Sequence, residues 1–434
     1  MALEFAHGAI RWLAADAAAV TYTVSGLAFQ PKAIRFYWVG LDSAGTDVNS
    51  SSVDCQRGVG FATSTSERRS VSSYDDTGVG TSDCATVAAS DCVAGQLDNT
   101  GARVGELDLN AINSDGFQLI VDDQGVVNLT IFWEAWGGSD ITVAVCGDLS
   151  EPASPGDVSP TATGLTSDGG QQVVMFAGVQ STAAVNTSTV EASGLCVGFA
   201  TATAAAEQVV VTGNADHAST TTDTDGFCQS GKCITQIVLA GGNATSSAAL
   251  SAWGTNAFTV TFAGTMVSAR KTIWLAIKGG YWRAGEYTIA GNSASATATV
   301  SGTVFVPIGV CIIGRMSVEQ GTTVSDVNDR IGMGTGTSTS SRRSMGILNE
   351  NATVSSNVEV DTTIQYDQVL CFPSDAGGLQ SAYDIDAMNS DGFRIIVDTA
   401  GGVASEWQGY LTFGNVLPPS APLVMAPYRS WGLR

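Results

Sequence analysis

The 434-residue chain carries only two histidines, His7 and His217, and neither falls in its recurring motifs. Histidine is the side chain that moves protons most readily near neutral pH, so a serine–histidine–acid or cysteine–histidine centre is not expected. No Gly-x-Ser-x-Gly elbow and no Gly-Lys-Ser/Thr loop is present, which argues against an α/β-hydrolase nucleophile and a phosphate cradle. Charge is scarce at 14% of residues and leans one way: 19 basic against 41 acidic side chains give a formal charge of −22. With no basic tract to neutralise phosphates, direct nucleic-acid contact is not expected. No apolar run approaches the roughly 18 residues that a spanning helix needs. No stretch holds a 3.6-residue period over several turns, so helices are not expected either. Met1 to His7 lacks the basic start and apolar core of a secretory signal, and synthesis in the cytoplasm without such a signal is the expectation.

What the chain does have is repetition. Asn113-Ser114-Asp115-Gly116-Phe117 returns as Asn389-Ser390-Asp391-Gly392-Phe393, each followed by alternating apolar residues. Asn, Asp and Gly tolerate the backbone of a tight turn, and the alternation that follows predicts a β-strand. The copies stand 276 residues apart, and halfway between them Trp253-Gly254-Thr255-Asn256-Ala257-Phe258 is a worn third copy. Thr21 to Pro31 matches Thr297 to Pro307 at seven of eleven positions. A period of about 138 residues predicts three domains, each with its own core. Boundaries are expected near Gly138 and Gly280, giving residues 1–138, a divergent 139–280, and 281–434. Rich Gly, Ser, Thr and Val with many turns predict an all-β chain of three tandem antiparallel β-sandwich, jelly-roll-like domains. Ala33 to Gly40, Val173 to Val179 and Ile308 to Gly314 are too short for helices and predict core strands.

Several side-chain patterns are candidates for chemistry. Asp108-x-Asn110-x-x-Asn113-x-Asp115 and Asp384-x-Asp386-x-x-Asn389-x-Asp391 supply oxygen donors suited to Ca²⁺ without the spacing of an EF-hand loop. No cofactor is expected, and calcium on Asp108, Asp115, Asp384, Asp386 and Asp391 is the alternative. Carboxylates that recur at a turn predict a structural role over glycosidase chemistry, and no enzyme activity is expected. Arg68-Arg69 and Arg342-Arg343 recur together with the acidic turn, and both features are missing from the middle repeat. An ion pair of Arg68 or Arg69 with Asp115, and of Arg342 or Arg343 with Asp391, is therefore expected, with an anion or sugar contact as its rival. Among nine cysteines, Cys228 with Cys233 and Cys84 with Cys92 stand at hairpin spacing and are candidate disulfides. The Cys-x4-Cys spacing also occurs in zinc sites, but no second close thiol pair complements it. Trp12, Tyr37, Trp38, Trp136, Tyr281, Trp282, Tyr428 and Trp431 are aromatics that could stack on sugars or fill partner pockets, with core packing the expectation for most.

Val24-Ser25-Gly26-Leu27-x-Phe29-x-Pro31-Lys32-Ala33, Gly58-x-Gly60-Phe61-Ala62-Thr63-Ser64 and Asn113 to Phe117 occur in an order that resembles uncharacterised β-rich repeat proteins of tailed-bacteriophage structural modules. The likeness covers the first and third repeats well and the second weakly. It implies a non-enzymatic virion protein on the outer surface of the particle, a capsid decoration or cement protein made in the host cytoplasm. Its partners would be the major capsid protein, other virion proteins and sister copies in an oligomer, with no direct nucleic acid or membrane. A tail, collar or fibre protein touching the host surface is the first alternative, and a secreted carbohydrate-binding or carbohydrate-active protein is the alternative of another class.

Overall fold

The computed structural model describes residues 2–52, 54–76, 83–168, 171–190, 192–215, 224–238, 243–266, 269–290, 293–316, 324–325, 328–350, 360–402 and 406–416. His217, Tyr428 and Trp431 lie outside the described residues. Among those described, the chain is all β, with no α-helix and a single 3₁₀ turn at Ala205–Glu207. Among the described residues no helix is long and apolar enough to cross a membrane.

The first eleven strands are β1 (Glu4–Trp12), β2 (Thr21–Val24), β3 (Pro31–Val39), β4 (Val48–Ser52), β5 (Asp54–Ala62), β6 (Arg68–Asp76), β7 (Asp83–Ala89), β8 (Ala94–Leu97), β9 (Arg103–Asn113), β10 (Gly116–Asp123) and β11 (Leu129–Gly137). The second eleven are β12 (Val143–Ser150), β13 (Gly156–Val158), β14 (Gln172–Gly178), β15 (Thr189–Val190), β16 (Ser193–Ala200), β17 (Gln208–Ala215), β18 (Thr224–Ser230), β19 (Ile234–Val238), β20 (Asn243–Gly254), β21 (Ala257–Gly264) and β22 (Lys271–Lys278). The third eleven are β23 (Tyr281–Ile289), β24 (Thr297–Val300), β25 (Phe305–Arg315), β26 (Val324–Ser325), β27 (Asp329–Ser338), β28 (Ser341–Asn349), β29 (Val360–Gln365), β30 (Leu370–Pro373), β31 (Leu379–Asn389), β32 (Gly392–Thr399) and β33 (Glu406–Val416).

These strands form three antiparallel sheets of seven and three of four, with one connection order used three times. The seven-stranded sheets run β1-β11-β3-β5-β6-β7-β15, β12-β22-β14-β16-β17-β18-β26 and β23-β33-β25-β27-β28-β29-β4. The four-stranded ones run β2-β10-β9-β8, β13-β21-β20-β19 and β24-β32-β31-β30. The last strand of each large sheet is borrowed. β15, from the second set, pairs with β7 of the first; β26, from the third, pairs with β18 of the second; and β4, from the first, pairs with β29 of the third. The loan is cyclic, so the three sets close on one another.

Side-chain alternation explains where the cores lie. Along β3, Ile34, Phe36 and Trp38 join β9 and β10 residues such as Leu109, Phe117 and Leu119 in a core between the first pair of sheets. The intervening Ala33, Tyr37 and Val39 turn the other way, into a core shared by all three sets that also takes Met175, Phe199, Cys311 and Leu411. A strand covered on both faces loses its polar alternation, which is why these segments read as unbroken apolar runs. The expectation of one core per repeat is thus incomplete: beside the three outer cores there is a central one to which every set contributes.

The turn that marks the repeat is a two-residue hairpin loop docked on its neighbour. Asn113 pairs with Gly116 across Ser114-Asp115, and Leu27 N–H donates to the Asp115 carbonyl at 2.9 Å. Glycine is required at Gly116 because a Cβ there would run into the Val24 carbonyl, and Gly392 meets Val300 in the same way. In the worn copy Asn256 takes the turn at φ 59°, a left-handed conformation that Asn accepts. Its side chain receives Gly164 N–H at 2.7 Å.

Candidate functional site

At the centre where the three sets meet, a charged pair is set within the shared apolar core. Strand register puts Arg35, Met175 and Cys311 at one position of β3, β14 and β25, and Glu134, Leu275 and Leu411 opposite them on β11, β22 and β33. Only the first set is charged there. Arg35 Nη2 donates to Glu134 Oε1 at 2.9 Å, with the two side chains 1% and 0% exposed. The second set adds the Phe199 ring, 5.5 Å below the guanidinium, and the third adds the Cys311 thiol, 3.4 Å from Glu134 Oε2. Burial raises the pKa of Glu134 against the pull of Arg35.

A second polar node also joins all three sets. Arg57 on β5 pairs with Asp75 Oδ2 at 2.7 Å and donates to Ser193 Oγ at 2.6 Å and Asn349 Oδ1 at 2.9 Å. Nearby, the buried Arg315–Asp329 pair at 2.8 Å lies on Gly213 and Gly226 of the second set, where any side chain would overlap it. Buried charges of this kind add little net stability against apolar packing, but they penalise any arrangement that leaves one partner alone. Sequence reasoning missed Arg35, Glu134 and Arg57. The available signal was a single charge inside an otherwise apolar strand, as in Ala33 to Val39 and Leu129 to Gly137, since such a charge has to be answered.

The predicted ion pairs exist between different partners. Arg68 pairs with Asp108 and Arg342 with Asp384, the latter with Nη2 2.8 Å from Oδ2. Asp115 and Asp391 instead accept the Gly26 and Gly302 N–H groups at 3.3 and 3.4 Å. Distance is the physical reason, because the turn carboxylate lies seven residues beyond Asp108, about 20 Å along an extended strand. Arg69 crosses to Asp148 of the second set at 2.8 Å. Arg343 has no carboxylate partner among the described residues and lies over the Phe132 and Tyr366 rings at 6.0 and 5.9 Å. In the middle set Gln208 stands in register where Arg68 and Arg342 stand, and it clamps the Leu250 backbone through bonds of 3.0 and 2.7 Å.

The calcium candidates do not converge. Asp108 and Asp384 are held by arginines, Asp386 by Arg394, and Asp115 and Asp391 by turn amides. Burial pushes Asp108 and Asp384 up to about 6 against those guanidiniums. Among the described residues, acidic and thiol groups gather only as Asp91, Cys92 and Glu106 and as Glu106, Asp122 and Asp123, neither of which includes a predicted ligand. Arg103 already answers Asp91 and Glu106.

All nine cysteines are free thiols and buried, which corrects the expected disulfides. Cys228 faces the central core whereas Cys233, past the reversal, faces the outer core of the second set. Cys84 lies beside Asp75, while Cys92 sits 3.2 Å from Ser70 Oγ. Hairpin spacing brought each pair close in sequence but on different sides of a sheet. One serine–histidine contact does occur, His7 Nε2 to Ser341 Oγ at 3.0 Å. Burial lowers the His7 pKa to about 3, which makes the ring a weak base, and among the described residues Nδ1 has no acid to orient it. Trp12, Tyr37, Trp38, Trp136 and Trp282 are core residues. Tyr281 packs against Phe305 at 6.1 Å.

No protein-family model and no curated protein matches the chain. Among solved structures, the β-fructofuranosidase of Schwanniomyces occidentalis aligns at 8% identity over 92% of this chain and 96% of its own, with a TM-score of 0.14. The anion-selective porin of Comamonas acidovorans aligns at 12% identity over 95% and 98%, with a TM-score of 0.10. Overlaps of that quality carry no argument about fold or activity.

Proposed function

We propose that this is a non-enzymatic structural protein of a tailed-phage virion, an outer capsid decoration or cement protein that stabilises the shell. In this reading residues 1–138, 139–280 and 281–434 are three copies of one jelly-roll-like sandwich, and the chain is a trimer written as one polypeptide. The observation that carries the proposal is the cyclic loan of β4, β15 and β26 around a common core. Each set is completed by another, as subunits are in an interlocked closed oligomer. Such a body offers three related outer faces for area-driven contact with a repeating lattice, and it needs no catalytic pocket to work. Its acidic surface suits a particle exterior, away from packaged nucleic acid. Of the indoles that would have favoured a carbohydrate binder, Trp12, Trp38, Trp136 and Trp282 are packed inside, which weakens that alternative.

The test mixes purified protein with undecorated mature shells and follows co-sedimentation and the resistance of the shells to heat or chelator. Saturable binding with delayed shell rupture is expected. No binding to shells together with binding to host cells would assign the protein to a tail, collar or fibre. Binding to neither, with tryptophan fluorescence that responds to glycans, would move it to the carbohydrate class.

A further inference from the structure

The three seams between the strand sets provide an internal comparison at one position. By register, Arg69, Val209 and Arg343 are equivalent on β6, β17 and β28. The facing position on the next set's first strand holds Asp148 on β12, Glu286 on β23 and Ala9 on β1. Where the first set meets the second, Arg69 and Asp148 pair at 2.8 Å. Where the second meets the third, Val209 brings no charge, and Glu286 is satisfied by Trp407 Nε1 at 2.6 Å and Ser230 Oγ at 3.0 Å. Where the third meets the first, the arginine is kept and the carboxylate is replaced by the Ala9 methyl.

That third seam is also open. A cleft of about 500 Å³ is lined by Ala9, Arg11, Ser43, Gly45, Arg343 and Tyr366, among others. Among the described residues Arg343 enters no ion pair, and its Nε is buried with no hydrogen-bond partner. The guanidinium lies over the aromatic rings of Phe132 and Tyr366, which offer it no anionic acceptor. Burial lowers the pKa of Arg343, opposed in part by the neighbouring Tyr37 and Tyr366. Of the acids flanking the cleft wall, Asp42 is engaged by Arg11 and by Asn128 at 2.9 Å, and Asp47 accepts the Tyr366 N–H at 2.7 Å.

We propose that this cleft is a binding site for a carboxylate group, which Arg343 receives in the place that Asp148 fills at the first seam. The ligand chemistry is read from the molecule itself, because one of its own seams carries the same arginine with its carboxylate built in. A guanidinium presents forked donors to a planar anion, and the seam geometry accepts that anion from outside. The inference does not depend on the virion assignment. A free organic acid and the acidic side chain of a peptide share this chemistry.

The test measures thermal stabilisation of the full chain by acetate, succinate and a capped Gly-Glu-Gly peptide at fixed ionic strength, with acetamide as the neutral control. Two substitutions copy residues that the chain already uses at these positions. Ala9→Asp should supply the carboxylate in place, raise the melting temperature without ligand and abolish the response. Arg343→Val should abolish the response without that gain. If either variant fails to fold, Arg343→Gln takes its place, and its response should also be lost. Stabilisation by acetate or succinate identifies a free acid, and stabilisation by the peptide alone identifies a protein side chain. An equal response in wild type and variants, an equal effect of acetamide, or no response to any carboxylate would overturn the proposal.

Discussion

Replacing Glu134 by Leu should cost far more than replacing Glu134 and Arg35 together. Glu134→Leu leaves the Arg35 guanidinium 1% exposed without the carboxylate it pairs with, and among the described residues Nε and Nη1 already lack partners. Arginine cannot shed its charge, so the loss should fall in the range of about 3–5 kcal/mol seen when one member of a buried pair is removed. Arg35→Met should be milder, because Glu134, its pKa already raised by burial, can take a proton and remain as a neutral acid. Its cost should shrink as the pH is lowered. The double variant Arg35→Met, Glu134→Leu reproduces the Met175–Leu275 pairing of the second set. It should lie within about 1 kcal/mol of wild type or exceed it by up to about 4 kcal/mol. Urea unfolding midpoints, compared at constant slope, give the coupling energy. A Glu134→Leu cost below about 1 kcal/mol, or a double variant as unstable as the worse single one, would refute the claim that this pair is a desolvated charge couple.

Two further predictions concern titration and reactivity. Burial pushes Glu406 up to about 8 and Glu106 up to about 7, as it does Asp108 and Asp384 to about 6. The folded state then holds these protons more tightly than the unfolded state, so their contribution to stability is complete at low pH and is lost as the pH rises through each folded value. His7, lowered to about 3, acts in the opposite sense below its ordinary value of 6.5. The melting temperature should fall between pH 6 and 9, and Glu406→Gln should remove most of the fall above pH 7; a flat wild-type profile would show Glu406 ionised in the folded chain. Burial also pushes Cys92, Cys146, Cys196, Cys228 and Cys371 up to about 12, and thiolate is the reactive form. No thiol should react with an aromatic disulfide reagent in native buffer and all nine should react in denaturant; fewer in denaturant would reveal a disulfide.

The recurring turn and the apolar runs made the strands legible, because turn chemistry and burial are written in neighbouring residues. Partner choice was not legible. Arg68 and Asp115 recur together, yet the residue that meets Arg68 is Asp108, set by how far a strand extends and by which strand lies beneath it. The same limit applies to Cys228 and Cys233, five positions apart but facing different cores. The borrowed strands were invisible for another reason. β15 and β26 are two residues long and β4 is Val-Asn-Ser-Ser-Ser, so none has a hydrophobic pattern to detect. Their pairing is specified by the sheet edge that receives them. Arg343 was singled out, but its lack of a carboxylate emerges only when its seam is laid over the other two.

The charged pair at the centre has a consequence for symmetry. When three identical chains meet on an axis, every substitution is made three times, and an arginine at the position of Arg35 would bring three guanidiniums together. Joining the sets in one polypeptide lifts that restriction, and Arg35, Met175 and Cys311 occupy the equivalent places side by side. The three flanks are therefore chemically distinct as well: one seam is closed by an ion pair, one by an indole and a serine on a carboxylate, and one is left open at Arg343. A surface that touches all three can distinguish which way round the molecule sits, a choice that no assembly of identical copies can offer.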